Sequence, residues 1–276
     1  MIIAILIVLG LALGSFVNAL VWRLRQQETA KNKSGKQLSI IKGRSMCPAC
    51  KHELTAKDLV PVLSWLALRG KCRYCGKPIS GQYPLVELTT ALLFVVSYIW
   101  WPVPLSGAQT AIFVLWLALL TGLLALLVYD ARWSLLPNRI VYPLAVLAIV
   151  QATIAVAVNP KPVLALGNEI LAVAIGGGIF YVLFQVSKGK WIGGGDVKLG
   201  WLLGLIVGTP GRSILLIFIA SLAGSLVSLP LLLNGRLKRN SIIPFGPFLI
   251  GATIVVQLFG HAILLWYQRV FAPFTL

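Results

Sequence analysis

The chain has 276 residues, of which 58% are hydrophobic and 11% charged, with 24 Lys+Arg against 7 Asp+Glu and a net charge of +17. Soluble domains carry about 25% charged residues, so this composition excludes an ordinary soluble domain. It points to an all-α polytopic membrane protein, since helices close their own backbone hydrogen bonds in lipid. The positive charge sits on short loops between apolar stretches, which excludes nucleic acid as its partner and leaves membrane topology and anionic lipid heads to explain it.

About eight transmembrane helices are expected, over residues 2–22, 84–101, 109–129, 140–157, 168–187, 199–208, 213–233 and 247–267. Most reach the ~17–25 residues that cross a bilayer; the sixth is short and broken by glycine. The first span has no basic residue before its apolar run and no small-x-small cleavage site. It leads straight into Trp22-Arg23-Leu24-Arg25, so residues 1–22 are expected to be a retained first helix rather than a signal peptide. Placing the N-terminus outside puts 23–80, 130–139, 188–198 and 234–246 on the cytoplasmic side. Those segments hold 21 of the 24 basic residues, a positive-inside distribution.

Residues 23–83 form the only extramembrane segment long enough to hold structure. Its first half, "QQETAKNKSGKQLSIIKGRS", is polar and expected to be mobile. Its second half carries Cys47, Cys50, Cys72 and Cys75 as C-x2-C-x21-C-x2-C. Two such knuckles can wrap one tetrahedral zinc in a zinc-ribbon-like loop. Lys51, Arg69, Lys71, Arg73 and Lys77 crowd the site and offset the charge of a metal tetrathiolate. A pair of disulfides is the competing reading, disfavoured in a reducing compartment. With four protein ligands the metal is structural, not catalytic. His52 reads as a surface residue.

Glu87, in "YPLVELTT", is a carboxylate that suits a supporting contact or direct function equally. Asp130 closes the third span in "LLVYDARWSLLPNR", and Asp196 opens the sixth in "GGGDVKLG". A carboxylate at a bilayer is costly without work or a partner. Two held close share a proton: one can activate water for attack on an amide, while the other polarises the carbonyl. Gly193, Gly194 and Gly195 would let an extended peptide approach Asp196. The bland alternatives are an Asp130 pair with Arg132 or Arg139, and Asp196 as a helix cap. The run Gly176-Gly177-Gly178 reads as close helix packing, and the glycine-rich fifth and sixth spans are also candidates for a lateral opening.

These residues resemble the type IV prepilin peptidases, or leader peptidase/N-methyltransferases, of type IV pilus, type II secretion and competence systems. The resemblance covers "GSFVNALVWRL", the four cysteines with "LVPVLSW" between them, "RGKCRYCGKPISGQYPLVE", "LVYDARWSLLPNRIVYP", "GGGDVKLG" and "IPFGPFL". It implies a membrane aspartic endopeptidase of the GxGD type with Asp130 and Asp196 as the catalytic pair. The substrates would be prepilins or pseudopilins, cleaved after a glycine at the end of a short basic leader on the cytoplasmic face of the inner membrane. The new N-terminus would then be methylated from S-adenosylmethionine. On this reading 1–22 is the first helix, 23–83 the methyltransferase-associated zinc module and 84–276 the peptidase core. No dinucleotide-type glycine fingerprint marks a methyl-donor site. Two local departures are Arg25, where the family commonly has proline, and Lys51, where it often has glycine. The rival readings are a peptidase without methyl transfer, and a transporter using the two aspartates as a proton or cation relay.

Overall fold

The structure, a computed structural model, describes residues 1–29, 43–235 and 243–271. The expected mobility of 26–45 concerns mainly residues outside these, as does most of the basic loop 234–246. Among the described residues there are nine α-helices, one 3-10 turn and no strand beyond isolated bridges. Seven helices are long and apolar enough to cross a membrane. The chain divides into two compact units, Met1–Ile99 and Trp100–Leu276.

The first unit is built on α1 (Ile2–Thr29) and α3 (Gln82–Ile99), which pack along each other. The short α2 (Leu63–Ala67) and a 3-10 turn (Ala56–Asp58) lie between them in sequence. The α1–α3 seam is made by Gly10 and Gly14. A Cβ on Gly10 would stand 2.5 Å from the Ala91 Cα, and one on Gly14 2.6 Å from the Glu87 Cα. This is the small-xxx-small device that lets two backbones touch in a membrane, where van der Waals packing replaces the hydrophobic drive. Asn18, 3% exposed, fastens the end of the seam by donating to Gly14 O and Tyr83 O. α1 continues past the expected end at 22 to Thr29, because Arg25, Gln26, Gln27 and Glu28 are good helix formers, with Arg25 and Glu28 paired at 3.7 Å.

The second unit comprises α4 (Ala108–Trp133), α5 (Asn138–Ala157), α6 (Pro162–Ser187), α7 (Gly194–Val207), α8 (Pro210–Leu233) and α9 (Gly246–Phe271). Its core runs along α4, where Trp116, Leu119, Leu120, Leu123 and Leu126 are fully buried. α7 begins at Gly194, five residues before the expected sixth span, since an N-terminal turn tolerates glycine at its cap. At 14 residues it extends only ~21 Å, short of the ~30 Å hydrocarbon thickness. It is held against α6 by glycine on both sides. A Cβ on Gly176 would meet Gly200 O at 2.8 Å, and one on Gly204 would meet Ala172 O at 2.8 Å. Packing therefore accounts for Gly176 and Gly177, and the α6–α7 seam is closed along these residues; Gly178 faces open space.

Candidate active site and metal centre

The four cysteines of the first unit come together as two copies of one turn. Cys47 N–H donates to His52 O and Cys72 N–H to Lys77 O, both at 2.9 Å. Lys51 N–H returns to Cys47 O, and Gly76 N–H to Cys72 O, again at 2.9 Å. Lys51 and Gly76 both hold positive φ, 58° and 67°. The bridges Met46–Glu53 and Lys71–Pro78 close the two turns. All four Sγ atoms lie within 4.8 Å of one another, the Cys47–Cys75 pair at 4.0 Å, and none is in a disulfide. Four thiolates around one ion with Zn–S near 2.3 Å would sit ~3.8 Å apart. The cluster is thus close enough to bind a metal ion. His52 is exposed, stacked on Tyr74 at 3.8 Å between ring centroids.

Beside the cysteines, Asp58 gathers the module. Its carboxylate accepts from Arg73 Nε at 2.7 Å, Thr55 Oγ1 at 2.8 Å and Tyr74 Oη at 3.0 Å. Burial works to raise its pKa, yet these donors win and hold the carboxyl at about 2. Glu87, on α3 and 6% exposed, accepts the Val62 N–H at 2.7 Å. Val62 sits at φ 60°, ψ −51°, with Leu63 N–H bonded to Pro61 O. That is the strained γ-turn a β-branched residue rarely adopts, so Glu87 pins a conformation the local chain disfavours.

In the second unit, Asp130 lies in the last turns of α4 and Asp196 in the first turn of α7. α4 stops soon after Asp130 because Ser134 turns left-handed at φ 52°, its N–H bonding Asp130 O at 2.7 Å. Asp130 is 4% exposed, and its Oδ2 accepts the Gly246 N–H at 3.1 Å from the start of α9. A Cβ on Gly246 would stand 2.5 Å from that oxygen. α9 packs against both α4 and α7, the helices that carry Asp130 and Asp196. Among the described residues neither aspartate forms an ion pair. Arg132 lies instead over the Trp133 ring at 5.0 Å, and Lys198 donates to Asn138 Oδ1 at 3.0 Å. Asp196 is not the cap of α7; Gly193 occupies that position.

The chain's own packing does not require glycine at 193 or 194. Neither holds a positive φ, and an added Cβ would meet nothing nearer than 3.6 Å and 3.8 Å respectively. Gly195 is tighter, 3.3 Å from Leu136 Cδ1. A cavity of about 270 Å³ opens between α8 and the start of α9, lined by Ser221, Ser225 and Ser228 together with Phe245 and Phe248. Sequence reasoning gave Gly246 no role, although it stands in the quoted "IPFGPFL". Its meaning emerges only once α9 is placed against α4.

Residues 8–101 match the Bacterial Peptidase A24 N-terminal domain, and residues 117–229 the Type IV leader peptidase family. The chain is 32% identical over 268 residues to the prepilin leader peptidase/N-methyltransferase of Bacillus subtilis, covering 97% of this chain and 98% of the relative. It is 33% identical over 281 residues to that of Stutzerimonas stutzeri, covering 95% and 92%. Identity is also 33% over 279 residues to that of Burkholderia pseudomallei, covering 94% and 85%. No solved structure gives a significant match. With relatives this similar along nearly its whole length, the chain belongs to the prepilin leader peptidase/N-methyltransferase family.

Proposed function

We propose that this chain cleaves the leader from type IV prepilins or pseudopilins with Asp130 and Asp196 and then methylates the exposed N-terminus. The observation that supports the reading is a carboxyl in the last turns of α4, oriented by the Gly246 N–H, and a second in the first turn of α7, with α9 packed on both helices and no ion pair to either aspartate among the described residues. Two acids at close quarters cannot both ionise cheaply. The ionised member takes a proton from water as it attacks the scissile carbonyl. The protonated member hydrogen-bonds that carbonyl and then gives its proton to the leaving amine. Space beside Gly193 and Gly194 would receive the extended leader, and the serine-lined cavity at α8 the segment that follows it. The positive-inside bias of the sequence supports an inner-membrane topology with the N-terminus outside and the aspartates at the cytoplasmic face.

Zinc is the ion that suits four thiolates held as two knuckles, and its role here is to fix the first unit. Residues 1–22, 23–83 and 84–276 would serve as first helix, methyl-transfer module and peptidase core. S-adenosylmethionine, when bound, supplies an electrophilic methyl group. A cavity of about 110 Å³ in the first unit fits the charged end of that group in kind. Glu87 supplies a buried carboxylate, and Trp22 and Trp65 are among the lining residues, their indoles being the ring type that attracts a cation best. Purified protein in lipid, given a prepilin and S-adenosylmethionine, should yield a pilin shortened at its leader and heavier by one methyl group at its new N-terminus. An intact prepilin under those conditions would sink the proposal.

A further inference from the structure

Among the described residues, four buried side-chain polar atoms lack a hydrogen-bond partner: Trp101 Nε1, Gln151 Oε1, Glu169 Oε1 and Gln257 Oε1. All four residues line a single cavity of about 470 Å³ in the second unit. They reach it from the segment before α4 and from α5, α6 and α9. The cavity is far from the aspartates. Ile112, in its wall, lies 18 residues before Asp130 on α4, or ~27 Å along the axis.

Gln151 is 4% exposed and Gln257 8%. Gln151 Nε2 donates to Ile112 O at 3.0 Å, which fixes the amide and leaves Oε1 as an unanswered acceptor. Room for Glu169 is kept by Gly208, at φ 70°, where a Cβ would stand 3.0 Å from Glu169 Oε2. Arg212 and His261 line the same cavity, yet no ion pair among the described residues involves Glu169 or Arg212. A carboxylate and a guanidinium in membrane-spanning helices are costly unless partnered, and orphaned buried acceptors add to that cost. A cavity of this size falls in the range of small-ligand sites.

One kind of group answers every unmet demand. A primary ammonium carries three N–H donors, one each for the Gln151, Gln257 and Glu169 oxygens. A phosphate accepts from Arg212, His261 and the Trp101 indole. The cavity also lies near the helix ends, at residues such as Val156, Ala165 and Thr209, the depth at which lipid head groups sit. We propose that this cavity binds a zwitterion bearing a primary ammonium and a phosphate, the chemistry of an aminophospholipid head group. The site is separate from the aspartate pair and does not rest on the peptidase reading.

The test uses the full chain, delipidated and returned to vesicles of phosphatidylethanolamine, phosphatidylcholine or phosphatidylglycerol, with free phosphoethanolamine as a further arm in detergent. Thermal unfolding and retained lipid, read by native mass spectrometry, are the measurements. Phosphatidylethanolamine should stabilise and remain bound, whereas the trimethylated and the ammonium-free lipids should not. Glu169→Gln should weaken that binding at least ~10-fold while leader cleavage continues. Gln151→Leu, which removes an acceptor without touching charge, should weaken it too. Stabilisation by free phosphoethanolamine as well assigns the group to a soluble source, and stabilisation by the lipid alone assigns it to the bilayer; either supports the site. Equal retention of all three lipids, no retention of any, or an unaltered preference in Glu169→Gln would overturn it and leave a water-filled cavity.

Discussion

Gly246 donates its backbone N–H to Asp130 Oδ2 at 3.1 Å, and a methyl group on that glycine would stand 2.5 Å from the same oxygen. The start of α9 thus orients one member of the aspartate pair, and only glycine leaves it room. On the proposed chemistry, Gly246→Ala should cut leader cleavage by about 10²-fold, the usual consequence of displacing a catalytic group by ~1 Å. Helix content and metal retention should be unchanged. Cleavage at the wild-type rate would mean that Asp130 needs no such positioning.

Lys51 and Gly76 occupy the same place in the two cysteine turns, both left-handed, yet only one is glycine. Lys51→Gly should stabilise the first unit by about 0.5–1 kcal/mol by relieving the strained φ, net of glycine's entropy. Slower metal loss to a chelator would report it. The reverse change, Gly76→Lys, should accelerate that loss.

Asp58 is held below its ordinary 3.8, at about 2, by Arg73, Thr55 and Tyr74. A depressed carboxyl pKa contributes stability that is present above the unfolded value and lost as pH falls through the folded one. The Asp58 contribution should therefore vanish between about pH 4 and pH 2. Carbon NMR of the aspartate side chain should show the low titration, and Arg73→Ala should move it upward. An unmoved titration would remove Arg73 as its cause.

The α1–α3 seam depends on two glycines one helical turn apart. Gly14→Val should destabilise the first unit by about 1–3 kcal/mol through overpacking, visible as a lower unfolding temperature. A neutral effect would show that the helices can separate without cost.

Much of this was legible in the sequence, because its signals are local. Apolar runs, two paired cysteine turns and two isolated aspartates each announce themselves within a dozen residues. Gly10 and Gly14 have a small-xxx-small spacing in the first span, but hydropathy marks the span without showing which of its faces meets a neighbour. Contacts between distant segments were not accessible. Gly246 finds Asp130 only when α9 meets α4. Gln151, Glu169, Arg212 and Gln257 lie on four helices with no motif among them, and only the fold makes them a site. Val62 is similar: nothing in "LVPVLSW" announces a valine at φ 60° held by a carboxylate 25 residues away.

The most direct test of the aspartate pair is leader cleavage by purified protein carrying Asp130→Asn or Asp196→Asn, with methyl transfer to an already cleaved pilin followed in the same preparation. Each substitution should abolish cleavage while metal binding and methyl transfer persist. Near wild-type cleavage by either variant would show that its aspartate is structural and would contradict the proposed chemistry.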